Sequence, residues 1–340
     1  MPALGYNNTP FPGAVFEQRF YNGVPYDCMV LKATFALKPG AILKPLAEQP
    51  DLELNDLWAG EELRSELLYP SDLIPYKPAT DVMVVGTARP EGGQACPQWL
   101  AQLYIEHKLN KIVRLLGPRE WQHQGRQGWQ LSPPTATDAV PLRWQRAWGG
   151  MLGDGDEPDS LWPANPLGMG FLGPQAPDPE RRYPAPQLEL PDQPLTAIDQ
   201  PIAAAGFMPV PGCFAERLAL AGTYDEQWEK NVAPNIPFDM DLGYWNCAPR
   251  DQIIDPYLNG DETLWLVGLL PTGRVSFRLP GYDLKAILTH ENDDKEMVPL
   301  RLDTVLIDLD RMRVTLRWGR LIEPAARIVN ARFVIWNYGV

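Results

Sequence analysis

The chain has 340 residues, 45% of them hydrophobic, which is enough for one large domain or two ordinary ones with a sizeable core. Its formal net charge of -13 opposes phosphate binding, which depends on neutralisation by Lys and Arg, and argues against nucleic acid and anionic membrane surfaces as partners. The opening MPALGYNNTPFPG lacks the features of a secretory signal, no apolar run reaches the length of a membrane span, and Cys28, Cys96, Cys213 and Cys247 form no CxxC pair, so the expectation is a cytoplasmic protein with reduced thiols, without zinc or disulfides and not inserted in a membrane.

In chain order, the first element is CMVLKATFAL (Cys28 to Leu37), which has strand length, β-branched content and a Pro39-Gly40 stop. DVMVVGTA from Asp81 is a short apolar run between prolines and the PEGG turn, the pattern of a central strand. Leu103, Ile105 and Leu109 share a parity, and Asn110 before KIVRLL (Lys111 to Leu116) predicts a hairpin. Between Asp154 and Glu216 there are thirteen prolines and little periodicity, so this long connection is either a binding element or a strap laid across the core. Thr223 and Glu226 have capping-box spacing and predict a helix that ends before Pro234, and a second short helix fits Phe214 to Leu220.

The last eighty residues alternate most clearly. Val275, Phe277 and Leu279, then Met312, Val314, Leu316 and Trp318, share one parity, while Arg274, Arg278, Arg311, Arg313 and Arg317 take the other. A parity change between Leu302 and Val305 predicts a bulge near Asp303-Thr304, and IVNARFVIW (Ile328 to Trp336) reads as a more fully buried strand. The fold class is mainly β: an antiparallel, sandwich-like architecture with long Pro-rich connections and one or two short helices. It is expected as a single domain over 1–340, with two possible β sub-lobes, about 15–150 and 245–340, joined by irregular segment 154–216 and helix 223–231.

Signals for chemistry are few. His107 shares the parity of Leu103 and Ile105 and reads as a hydrogen-bonded core histidine, His290 reads as solvated surface before ENDD, and His123 lies in a loop. No HxxxH, HExxH or GxSxG occurs. GDGDEPD (Gly153 to Asp159) starts like a calcium loop, but Pro158 and Asp159 stand where a ligand and a glycine belong. Asp239 and Asp241 could place two carboxylates on one side of an extended chain, which keeps open a hydrolase acting on cell-envelope polymers. No catalytic residue, metal or cofactor is otherwise expected.

The remaining motifs are rich in Trp, Arg, Gly and Pro, with 12 tryptophans and 37 prolines in the chain, the latter about twice the ordinary share. In WQRAWGG (Trp144 to Gly150), an extended strand would put Trp144, Arg146 and Trp148 on one side, with the guanidinium between two indoles, as an internal brace or a binding hot spot. Trp162, Phe171, Tyr224 and Trp228 complete the candidate protein-binding set, since aromatic residues held by Pro-rich loops provide contact area at little entropic cost.

The ordered strings KATFAL, YPSDLIPYKPATDVMVVGTA, WQRAWGG, NPLGMGF (Asn165 to Phe171), AGTYDEQWEKN (Ala221 to Asn231), APRDQ and GDETLWLVGLLPTGRVSFRLPG closely resemble one family, from about residue 15 to the end of the chain. That family is the domain of unknown function number twenty-one sixty-nine, whose members are encoded beside type VI secretion spike and toxin genes. The resemblance implies an adaptor or chaperone that binds an effector toxin in the cytoplasm of a Gram-negative bacterium and loads it onto the VgrG spike. An immunity protein that caps a toxin is the other binding role compatible with an acidic chain.

Overall fold

The structure is a computed structural model and describes residues 3–152, 160–173, 176–198, 200–323 and 328–337, with backbone alone at 3–6, 336 and 337. Strand accounts for 41% of the structure and helix for 8%, so the mainly β expectation holds. The largest sheet has seven strands, in the spatial order Ile253–Ile254, Thr80–Val85, Arg301–Asp308, Arg313–Ile322, Pro25–Ala36 and Gly13–Arg19, with Lys44–Pro45 on the flank of Pro25–Ala36. A five-stranded sheet runs Leu188–Glu189, Leu109–Leu116, Gln98–Ile105, Thr263–Leu270 and Gly273–Arg278. A four-stranded sheet runs Ala3–Asn7, Ile328–Asn337, Asp283–His290 and Lys295–Pro299. None of the sheets closes into a barrel.

Pairing is mostly antiparallel, but Thr80–Val85 lies parallel to Arg301–Asp308, and Ala3–Asn7 parallel to Ile328–Asn337. The first of these explains the unbroken run TDVMVV. A strand with a parallel neighbour in mid-sheet is covered on both faces, and all six of its residues are buried. Val82 and Val84 enter the main core, while Met83 and Val85 join a smaller cluster with Cys247, Ala248 and Leu306 on the opposite face.

The main core is continuous from Phe11 to Phe333 and takes Leu31, Val84, Leu103, Leu266, Ala286 and Leu316 from the three larger sheets. Both of the two largest sheets draw strands from the first and last thirds of the chain. The described part of the Pro-rich connection is a strap: Phe207, Val210 and Phe214 are buried in the main core, and the Val84 amide donates to the Phe207 carbonyl at 2.9 Å. Prolines suit such a strap because they fix the backbone and carry no amide proton to satisfy. The GDGDEPD string lies outside the described residues.

Several local expectations are corrected. The hairpin turns at Glu106–Lys108, before Asn110, and His107 sits at its tip with φ of 59° and an exposed side chain, so it is no core histidine. His290 ends a strand with its side chain largely covered and Nε2 3.5 Å from Glu296, rather than solvated. The bulge near Asp303 is present, between Leu302 and Thr304. Met312 falls in the preceding turn with φ of 50°, and Arg317 is buried because the segment 46–77 roofs the outer face of that strand. Ile328–Asn337 is not fully buried: Ile328, Ala331 and Phe333 are buried, whereas Val329, Asn330 and Arg332 are exposed, with a register shift between Ile328 and Asn330.

Candidate protein-interaction surface

The candidate residues divide into two groups. Trp144–Arg146 forms a single 3-10 turn instead of extended strand, so Trp144, Arg146 and Trp148 do not share a side. Trp144 enters the main core, where its Nε1 donates to the Pro209 carbonyl at 2.7 Å and its ring meets Phe214 edge-on at 5.5 Å. Trp148 enters a separate cluster with Trp121, Leu195, Ile198 and Ile202. Arg146 reaches away to Gln187 Oε1 at 2.9 Å. The stacked guanidinium is therefore absent, and the motif is an internal brace of another kind.

That brace joins WQRAWGG to NPLGMGF. Asn165, fully buried, donates its Nδ2 protons to the carbonyls of Trp144 and Trp148, both at 2.9 Å, and accepts from Gly150 N through its own carbonyl at 2.9 Å. Trp148–Gly149 then pairs parallel with Met169–Gly170. The approach is possible only without side chains: a Cβ on Gly149 would lie 2.1 Å from Asn165 O, and one on Gly170 would lie 2.7 Å from the Trp148 ring, both at positive φ. Trp162 and Phe171 pack on each other at 5.8 Å beside the Trp148 cluster, half-buried.

Tyr224 and Trp228 behave differently. Tyr224 is 55% exposed and meets the Trp228 ring edge-on at 4.7 Å. The Trp228 indole is held in place by Nε1 donating to the Asn235 carbonyl at 2.8 Å. Beside this pair, Phe238 is 75% exposed and rests on Tyr21, itself 44% exposed, with ring centroids 4.9 Å apart. The two pairs are tied by Thr223, whose amide and hydroxyl both donate to the Asp239 carboxylate at 3.0 and 2.7 Å. Phe20, at the tip of the 13–36 hairpin, leans on Tyr26 and Trp245.

The result is an aromatic surface built from the hairpin tip and the segment after Gly222; Leu218, at the end of the short helix Ala215–Leu218, is also 58% exposed. Residues 221–242 carry five carboxylates, Asp225, Glu226, Glu229, Asp239 and Asp241, and one cation, Lys230. Exposed aromatic side chains with few rotatable bonds, with charge mostly of one sign around them, are the composition of a binding hot spot with electrostatic selectivity. Sequence reasoning found Tyr224 and Trp228 and missed Tyr21, Phe238 and Leu218. The hairpin tip FYNG and the proline before Phe238 were the available signals for two of them.

Asp239 and Asp241 have local duties. The two hydrogen bonds from Thr223 hold the Asp239 carboxyl below its ordinary value, a direction opposite to that of a general acid. Asp241 accepts from Gly243 N at 2.8 Å and caps the turn Leu242–Trp245. Among the described residues no group of three or more His, Cys, Asp and Glu side chains has a metal-binding arrangement, and no helix is long and apolar enough to cross a membrane.

The family described as an uncharacterized protein conserved in bacteria, DUF2169, matches residues 22–319. The chain belongs to that family. No curated protein and no solved structure matches it. The strings that carry the DUF2169 resemblance build interior polar joints as well as apolar core. Lys32 pairs with Asp72 at 2.7 Å and Lys77 with Asp81 at 2.7 Å, both nearly free of solvent. Gln252 of APRDQ donates to the Val82 carbonyl at 2.7 Å, and Asn246 donates to Asp81 at 2.9 Å. Burial alone would lower the Lys77 pKa, but the Asp81 charge beside it holds it above its ordinary value.

Proposed function

We propose that this DUF2169 protein is an adaptor that binds a type VI secretion effector in the cytoplasm and helps load it onto the VgrG spike. The resemblance of its ordered motifs supplies the biological setting. The observation that carries a binding role is the surface made by the exposed rings of Tyr21, Tyr224 and Phe238 over the half-buried Trp228, with carboxylates prevailing around it. Such a surface selects a segment that presents apolar side chains among Lys and Arg, and the carboxylates favour its approach over that of acidic proteins. Transient loading needs an interface of standard size, roughly 800 Å² per partner, not an obligate one.

Co-expression with the effector encoded nearby, followed by size-exclusion chromatography, tests the reading. The wild type is expected to co-elute with effector and then with VgrG, and a strain lacking this gene should lose effector export while its secretion apparatus stays active. Tyr224→Ala combined with Phe238→Ala should weaken the complex by about a thousandfold with the fold intact, because both rings are exposed and hot-spot truncations cost about 2 kcal/mol or more each. Unchanged export in the deletion strain together with no complex would refute the adaptor role. Capture of the toxin with loss of its toxicity, and no recruitment of VgrG, would assign an immunity protein instead.

A further inference from the structure

On the outer face of the seven-stranded sheet, beneath the segment 46–77, lies a cleft of about 290 Å³ that the aromatic surface does not touch. Its floor is made by Lys32 and Thr34 on one strand and by Arg313, Thr315 and Arg317 on the next, with Thr304, Leu306 and Asp308 beyond. Tyr69, Asp308 and Arg311 form a partition shared with a second cavity of about 350 Å³, which is lined in part by Leu67, Leu142, Trp144 and Met208. The Tyr69 hydroxyl donates to Asp308 at 2.6 Å, and Arg311 donates to the Tyr69 oxygen at 2.6 Å.

Four of the five cations lining the cleft are committed. Lys32 is taken by Asp72, Lys77 by Asp81 and Thr304, Arg317 by Asp303 and the carbonyls of Asp72 and Ile74, and Arg311 by Asp308 and Tyr69. Asp81 and Asp303 are behind the lining, so they neutralise Lys77 and Arg317 from the protein side. Arg313 is the fifth. It is half-buried and has no carboxylate within 4.0 Å among the described residues, because Asp308, opposite it in register, is already shared by Tyr69 and Arg311. Next to it the hydroxyls of Thr315 and Thr34 face each other across the strands at 3.4 Å.

A half-buried guanidinium without a counter-charge has lost part of its hydration with nothing in return, and a planar anion that accepts its forked donors restores the balance. The surrounding ion pairs and the sheet fix the donors in advance, so little ordering cost falls on the ligand. We propose that this cleft binds a carboxylate, held by Arg313 and by the Thr34 and Thr315 hydroxyls, with the partition residues Tyr69 and Arg311 beside it. The volume admits a small free acid or the last residue of a polypeptide, and both offer the same group.

The test is side-chain NMR of the arginine Nε resonances in the intact protein. The probes are acetate, inorganic phosphate, and the dipeptide acetyl-glycyl-leucine as free acid and as C-terminal amide. Acetate and the free-acid dipeptide should each shift the Arg313 resonance saturably, and the amide should not. Arg313→Lys identifies that resonance by its disappearance and, read from the neighbouring Arg311 resonance, should weaken binding of both carboxylates about tenfold, as should Thr34→Val, the loss expected for a hydrogen bond to a charged group. Tighter binding of the dipeptide acid than of acetate assigns the site to a chain terminus, and equal binding assigns it to a small acid. A shift that does not saturate, tighter binding of phosphate than of either carboxylate, or affinity unchanged in both variants would overturn the proposal. Because Thr34→Val keeps the shape and β-branching of the residue, its result stands even if Arg313→Lys disturbs the strand.

Discussion

At the scale of the residue, the same side chain means different things according to what covers it. The cysteines show this most simply, since all four are unpaired but only Cys28 and Cys247 are buried. Burial pushes both of those thiols up to about 12, with Asp27 adding to the effect at Cys28 and the Lys77 charge opposing it at Cys247. The Cys213 thiol is also raised, by partial burial. A raised thiol pKa leaves less thiolate at neutral pH, and it is the thiolate that reacts. Titration of the native protein with a thiol reagent at neutral pH should therefore modify Cys96 first and Cys213 more slowly, and should reach Cys28 and Cys247 only on unfolding. Rapid modification of Cys247 in folded protein would contradict the buried joint it shares with Lys77 and Asp81. None of this burial was legible from the spacing of the cysteines, because Asp81 and Met83, which meet Cys247 in space, lie over 150 positions away in sequence.

At the scale of the element, strands were the legible part and caps were not. Val275 and Phe277 point inward and Arg274 and Arg278 outward as alternation requires, and the hairpin of Gln98–Ile105 with Leu109–Leu116 forms within a few residues of its expected place. The helix after Thr223 begins later than its capping-box spacing implied. The helix is Glu226–Asn231, and its N-cap is Asp225, whose carboxylate accepts from Trp228 N at 2.8 Å. Thr223 had two possible partners, a helix start or a carboxylate brought from elsewhere, and Asp239 wins because it takes both the amide and the hydroxyl. Asp225→Ala should cost about 1 kcal/mol of local helix stability, seen as faster amide exchange over residues 226–231. Thr223→Ala should leave that exchange unchanged and instead free the Phe238 loop. The reverse pattern would restore Thr223 as the cap.

At the scale of the whole molecule, the arrangement turns on long-range pairing. The strand Thr80–Val85 is hydrogen-bonded to strands beginning at Ile253 and Arg301, so neither half of the chain completes the seven-stranded sheet alone. One continuous core crosses the three larger sheets and the strap. Urea unfolding followed by far-ultraviolet circular dichroism and by tryptophan fluorescence should accordingly give coincident transitions, since core tryptophans such as Trp144 and Trp318 lose their environment only when the sheets separate. Two separated midpoints would show that the early and late β segments unfold as independent units.

What the sequence determined by itself was what local physics can write into neighbouring residues: alternation that makes strands, prolines that forbid helix, glycines that permit turns, and an acidic balance unsuited to phosphate. The ordered motifs added the family. The tertiary structure alone decided which faces are covered, and with that the fate of the functional candidates. Trp144 and Trp148 became core when their segment coiled into a 3-10 turn and two different clusters claimed them, while Tyr224 and Trp228 remained at the surface and were joined by Tyr21 and Phe238 from distant segments. Exposure is a property of all the atoms around a side chain, and those atoms come from parts of the chain that periodicity, which compares only near neighbours, cannot bring together.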